Sequence, residues 1–193
     1  GKINGKEYIV KTIVTTETIK TIAERNGVEM YDVYTGFKWI ANVMRENEGK
    51  KNYIGGGEES YGFLCEDFVR DKDAVSACVI LAEIAAWAKD QGLSLYQLLQ
   101  KIYVEYGFSK EKGISVVKKG KSGAEEIEAM MKKFRENPLT EIAGSKVTYF
   151  YDYSTLKGKD YAENETVTLD MPTTSNVLQY FTEDNTKVSI RPS

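Results

Sequence analysis

The sequence predicts an α/β fold, a mixed sheet with flanking helices over residues 1–108, followed by a small α+β domain over 109–193. Two observations carry this. Short β-branched runs alternate with amphipathic runs of helical period through the first part, which is the pattern of a layered α/β structure. Beyond Pro138 the helical period gives way to strand-like segments separated by turn residues.

The elements follow in order. Tyr8 to Thr15 is short and β-branched and reads as a strand. It runs into a helix in which Ile19, Ile22 and Ala23 share a face, with Gly27 suited to its stop. Val28 to Val33 is a second strand. Thr35-Gly36 opens a helix through about Glu46, with Phe37, Ile40, Ala41 and Met44 on one face. Asn52-Tyr53-Ile54 precedes the run Gly55-Gly56-Gly57-Glu58-Glu59-Ser60-Tyr61-Gly62, and Phe63 to Phe68 reads as extended. Asp73 caps an apolar helix ending near Lys89, and Gly92 closes it. Ser94 and Gln97 form a capping box for a helix with Leu95, Leu98, Leu99, Ile102 and Tyr106 on its face, stopped by Gly107.

After Gly107 the character changes. Gly113 to Val117 reads as a strand. Ser122 with Glu125 reads as a capping box for a helix whose face is Ile127, Met130, Met131 and Phe134. Strands are expected over Ser145–Tyr153, Glu165–Leu169, Val177–Phe181 and Lys187–Arg191, with a hairpin turn at Glu183-Asp184-Asn185.

Composition narrows the function classes. The chain is 41% hydrophobic and 28% charged, ordinary for a globular protein, and its net charge is −3. No chain-wide positive field exists to draw in nucleic acid or an acidic membrane. No apolar run reaches about 18 residues, so no helical span is expected. The polar start, Gly1-Lys2-Ile3-Asn4-Gly5-Lys6, has no signal-peptide core, which points to a cytoplasmic protein. Cys65 and Cys78 are too few for a disulfide scaffold, and Cys78, within an apolar helical run, is expected to be buried. There is no histidine, which removes the usual zinc sites and any imidazole acid–base group from this chain.

The glycine-rich run is the most informative segment. Three successive glycines permit positive φ and close approach of a ligand to the backbone. The lysine and hydroxyl that end a P-loop are missing, and Glu58 and Glu59 would repel a phosphate. Carboxylates beside open backbone suit a neutral polyol, whose hydroxyls they can accept from. The plain alternative is a glycine turn with two solvated glutamates. Arg70 and Lys72 precede a helix start and could meet an anion. The plain alternative there is a loop whose charges compensate one another. Thr35-Gly36 presents a hydroxyl and free amides at another helix start, or is simply a cap and turn. Tyr149 to Tyr153 reads as a packed strand rather than a base-stacking platform.

Taken in order, these segments resemble the α-D-phosphohexomutase family of phosphoglucomutases and phosphomannomutases. Gly57-Glu58-Glu59-Ser60-Tyr61-Gly62 looks like the sugar-binding loop of the family's third domain. Ile13-Val14-Thr15-Thr16, Thr35-Gly36-Phe37-Lys38 and Arg70-Asp71-Lys72-Asp73 match that domain's order. Ser175-Asn176-Val177-Leu178 and Arg191-Pro192-Ser193 look like the start of a fourth domain, truncated at its phosphate loop.

The resemblance implies domain three over 1–108 and part of domain four over 109–193. It implies that Gly57, Glu58, Ser60, Thr35, Gly36 and Lys72 meet substrate, with Lys72 also a candidate for proton transfer, and that Arg191 and Ser193 begin a phosphate clamp. It implies a mutase interconverting sugar 1- and 6-phosphates through a phosphoserine and a sugar bisphosphate activator. Phosphopentomutase-type activity or a non-catalytic binding module are its alternatives. The family's serine loop and its aspartate-rich Mg²⁺ loop have no counterpart here, so Mg²⁺ and the phosphoryl carrier are expected outside this chain, on missing N-terminal domains. Where some relatives carry a histidine after Thr-Gly, this chain has Phe37. No catalytic nucleophile and no metal ligand is expected within it, and the chain alone is expected to be inactive.

Overall fold

The computed structural model describes residues 3–192. The chain forms two compact units, Gly1–Lys112 and Gly113–Ser193.

The first unit is built on a four-stranded mixed sheet. Strand β1 (Glu7–Thr12) leads through helix α1 (Thr18–Arg25) to β2 (Glu29–Val33), and α2 (Phe37–Asn47) connects β2 to β3 (Asn52–Gly57). Both crossovers return the chain parallel to β1, and β4 (Phe63–Leu64) then folds back antiparallel on β3. The strand order is β2-β1-β3-β4. Helices α3 (Ala74–Asp90) and α4 (Leu95–Tyr106) complete the unit.

Strand alternation explains its core. Tyr8 and Val10 of β1, Val33, Tyr53 and Leu64 face Phe37, Ile40 and Met44 of α2 in one buried cluster. Ile40 is fully buried, which contributes on the order of 1.5–3 kcal/mol relative to exposure. Ala41, expected on that face, is half-buried at its edge. On the other side of β1, Lys11 is buried, and its Nζ lies 2.6 Å from Asp32 and 3.2 Å from Glu17. A buried ammonium persists where such partners offset its desolvation.

The helix ends agree with the sequence reading. Gly27 has φ 65° after α1, Asp73 accepts from the amides of Val75 and Ser76, and Ser94 and Gln97 form a complete capping box. Cys78 departs from expectation, because it is exposed. Helix α3 is apolar on nearly every side and packs chiefly against α4 and β4, leaving Val79 and Trp87 more than half exposed as well. The extended run expected to Phe68 keeps ladder pairing over β4 alone among the described residues, β4 being the edge strand of the sheet.

The second unit places α5 (Gly120–Glu136) against an antiparallel sheet. Its strands are β5 (Glu141–Ile142), β6 (Ser145–Asp152), β7 (Lys157–Asp160), β8 (Glu165–Thr168), β9 (Leu178–Thr182) and β10 (Lys187–Ile190). The order is β10-β9-β6-β7-β8, with β5 on β6. Met131, Val147, Leu178 and Tyr180 form its core, with Phe134 and Phe150 packed on it. Tyr149 to Tyr153 is a packed strand segment ending in buried Asp152 and Tyr153, and Asp152 accepts from Arg135 Nε at 3.2 Å.

Two expectations fail in this unit. Gly113 to Val117 carries no strand, and Ile114, Val116 and Val117 are exposed, because β-branched composition without a pairing partner does not make a ladder. Helix α5 starts two residues before Ser122, with Lys119 at its cap, so Ser122 lies in the first turn and the expected capping box does not form.

Candidate functional site

The parallel strands β1, β2 and β3 finish at Thr12, Val33 and Gly57, and the segments that follow them meet at this edge of the sheet. Open α/β sheets present ligand sites at the carboxyl ends of their strands. After β2, Thr35 and Gly36 lead into α2, where Gly36 takes the N-cap position with φ 120°. After β3, residues 58–62 form a tight hairpin loop to β4, closed by Glu58 N donating to Gly62 O at 2.7 Å.

The glycines serve this geometry differently from the expectation. Gly55, Gly56 and Gly57 are strand residues without positive φ; the left-handed residue in the segment is Tyr61, at φ 52°. A Cβ on Gly56 would meet Val10 O at 2.3 Å, and one on Gly57 would meet Gly62 O at 2.5 Å. These glycines let neighbouring backbone approach. Gly62 is the one that bears on a candidate side chain, since a Cβ there would meet Glu58 Oε2 at 2.7 Å.

Both loop carboxylates are anchored to the scaffold. Gly36 N donates to Glu58 Oε1 at 2.5 Å, so a carboxylate sits on the N-cap amide at the start of α2, where the helix dipole favours negative charge. Thr12 Oγ1 donates to Glu59 Oε2 at 3.0 Å. Beside them the hydroxyl of Thr35 is buried without a hydrogen-bond partner in the protein. A buried hydroxyl of that kind calls for a partner from outside. Ser60 and Tyr61 stand exposed at the loop tip.

Next to Gly36 a cleft of about 620 Å³ opens between α2 and the loop preceding α3, lined among others by Phe37, Lys38, Arg45, Arg70 and Lys72. Its cations are partly compensated, as Arg70 pairs with Glu48 at 2.8 Å and Lys72 with Asp71 at 2.9 Å. The bond to Asp71 raises the Lys72 pKa, and the charge of Glu58 adds to the rise. Asp71 is correspondingly held below the usual carboxylate range by Lys72. Lys72 Nζ also lies over the Phe37 ring, 5.8 Å from its centroid. Phe37 itself is a core residue.

The structure thus brings Thr35, Gly36, Gly57 and Glu58 together, with Ser60 at the tip of the same loop and Lys72 across the cleft that Gly36 lines. Arg191 is an exposed residue following β10 in the second unit, and Ser193 lies outside the described residues. Among the described residues no group of three or more His, Cys, Asp or Glu is placed to hold a metal ion, and no helix is long and apolar enough to cross a membrane. Sequence reasoning assigned Thr12 no part in the site, and it neither separated Glu59 from Glu58 nor linked Thr15 to the loop. The threonine run at the end of β1 was the available signal.

The first unit therefore defines a class: an α/β domain whose loops at the carboxyl end of a mixed sheet gather polar groups around a glycine-rich hairpin. The description "Phosphoglucomutase/phosphomannomutase, alpha/beta/alpha domain III" matches residues 1–106, more than half of the chain, and the chain belongs to that family. Similarity continues through the second unit. A phosphoglucomutase of Staphylococcus haemolyticus is 35% identical over 191 residues, 99% of this chain and 34% of its own length. A phosphoglucomutase of Staphylococcus aureus (strain bovine RF122 / ET3-1) is 37% identical over 185 residues, 96% of this chain and 33% of its own. The chain spans about a third of the length of these relatives. Among solved structures, the open form of parafusin from Paramecium, an exocytosis-sensitive phosphoprotein described as a phosphoglucomutase, shares the fold with a TM-score of 0.56. It is 18% identical and matches 95% of this chain and 30% of its own.

Proposed function

We propose that this chain is the substrate-recognition part of a cytoplasmic phosphosugar mutase. In this reading the complete enzyme interconverts sugar 1-phosphates and 6-phosphates through a phosphoserine and a sugar bisphosphate. The observation that carries the proposal is the Glu58 carboxylate, fixed between the Gly36 amide and the bare Cα of Gly62, beside the unpartnered hydroxyl of Thr35. Such a group accepts hydrogen bonds from sugar hydroxyls and is already oriented before ligand arrives.

Ser60 adds a hydroxyl from the loop tip, while Gly57 sets the base of the loop. Lys72, a cation whose pKa the Asp71 bond raises further, acts in this reading as a phosphate contact rather than as a base. Arg191 and Ser193 begin a phosphate clamp in the second unit, where a guanidinium suits bidentate recognition. Mg²⁺ would neutralise charge on the transferring phosphoryl group. The described residues do not fit that ion, so no step here runs through it.

The test is Glu58→Ala in the complete polypeptide. Loss of charged hydrogen bonds to the sugar should lower kcat/KM for glucose 1-phosphate by a factor corresponding to about 1.5–3 kcal/mol. Unfolding midpoints should stay near wild type. Unchanged kinetics with a lowered midpoint would make the loop purely structural and remove the proposal's support.

A further inference from the structure

We infer that Glu59 is a positioning residue that pins the Gly57–Gly62 loop to the end of β1 through a relay of two threonine hydroxyls. The inference rests on the reading that this loop meets a phosphosugar, and it adds a residue to which that reading gives no part.

Thr12 closes β1 and is fully buried, and Thr15 is 8% exposed. Their hydroxyl oxygens lie 2.8 Å apart, and Thr12 Oγ1 also lies 3.0 Å from Glu59 Oε2. A carboxylate can only accept, so Thr12 gives its single proton to Glu59. Thr12 then has only lone pairs for its neighbour, and Thr15 must donate to it. The relay has one direction, and its fixed end is strong. Thr15 N donates to Thr12 O at 2.9 Å, so backbone and side chains close the same turn.

The loop is also tied at its base, by the β3–β4 ladder and by Glu58 N donating to Gly62 O. Glu58 is drawn toward α2 by Gly36, and Glu59 is drawn toward β1 by Thr12. Adjacent residues anchored in these two directions leave the intervening backbone little freedom. Ser60 follows directly, so the placement of its hydroxyl depends on the anchor at Glu59. The two glutamates therefore divide the work: Glu58 offers its carboxylate to ligand, and Glu59, an exposed residue, keeps one carboxylate oxygen on the buried Thr12.

The experiment compares Glu59→Ala, Glu59→Gln, Thr12→Val and the Glu59→Ala/Thr12→Val pair in the complete polypeptide. Amide hydrogen exchange is read over residues 57–62, with calorimetric affinity for glucose 1-phosphate as the second readout. Glu59→Ala should speed loop exchange and weaken affinity, each by about tenfold or more, the loss expected of a hydrogen bond to a charged group. Thr12→Val should do the same, and the double variant should be no worse than either single one. Glu59→Gln keeps an oxygen that accepts from Thr12 and should stay within about threefold of wild type.

Unchanged exchange in Glu59→Ala, multiplied losses in the double variant, or a Gln variant as impaired as Ala would each overturn the inference. Faster exchange with unaltered affinity, in a wild type that binds, would overturn the positioning role. A wild type that binds no phosphosugar would instead defeat the functional reading, while the exchange measurements would still decide whether Glu59 pins the loop.

Discussion

Glycines that look equivalent in the sequence have separate jobs in the structure. An added Cβ on Gly56 would strike the carbonyl of Val10, backbone that cannot step aside. Gly56→Ala should therefore destabilise by about 1–3 kcal/mol through forced strand displacement. An added Cβ on Gly62 would strike the Glu58 side chain, which can swing away. Gly62→Ala should cost less than about 1 kcal/mol of stability but move the carboxylate off Gly36 and weaken phosphosugar binding. Urea midpoints and calorimetric affinities on the two variants separate these outcomes. Identical profiles for both would contradict the assignment. The sequence makes the glycine cluster and its neighbouring glutamates visible as a candidate site. It does not reveal which glycine serves packing and which serves Glu58, because that depends on the pairing of β3 with β1, distant in the chain, and on how the loop closes onto β4. The left-handed residue proved to be Tyr61 for the same reason: a closed five-residue loop assigned that conformation by its geometry.

At the level of elements, helices with an apolar face or a capping box were legible, α2 by its buried face and α4 by its capping box, because these signals are local. Segments whose structure depends on a partner were not. Gly113 to Val117 has strand composition but no neighbour, whereas β7, Lys-Gly-Lys-Asp, has poor strand composition and pairs on both sides with β6 and β8. The β9–β10 hairpin shows a local signal and a tertiary one together. Its turn contains Asn185 at φ 64°, as the Glu-Asp-Asn run predicts.

Asp184 reinforces the same turn. Its carboxylate accepts from the Thr182 hydroxyl and from the amide of Thr186, and these bonds hold its pKa down to about 2. A depressed carboxylate contributes stability above its unfolded pKa near 3.8, and that contribution is lost as pH falls through about 2. The hairpin should therefore keep its slow amide exchange at Thr186 well below pH 3.8. Asp184→Asn should remove the acid-dependent step, and carboxyl-detected NMR titration should find the wild-type midpoint near 2.

At the scale of the whole molecule, each unit has its own buried cluster, Ile40 and its neighbours in one and Tyr180 and its neighbours in the other. Ile40→Ala should cost the first unit about 2–5 kcal/mol, most of it from the cavity left beside Tyr8 and Val10. Native-state hydrogen exchange should register the loss in β1 to β3 while leaving the amides of β6 and β9 at wild-type rates. A uniform acceleration across both would mean that the two cores are not separate cooperative units. The chain carries 13 tyrosines, and their surroundings differ sharply. Burial lifts Tyr34 and Tyr180 to about 12, so their phenols stay protonated far into alkali. Tyr61, at the tip of the glutamate loop, is wholly open to solvent. That contrast gives the molecule a built-in chemical handle. A phenol-modifying reagent used gently would reach Tyr61 and the exposed Tyr96 ahead of their buried counterparts, and with Tyr96→Phe in place it would leave a chromophore one residue from Ser60 and three from Glu58, where its colour would report on whatever binds at the loop.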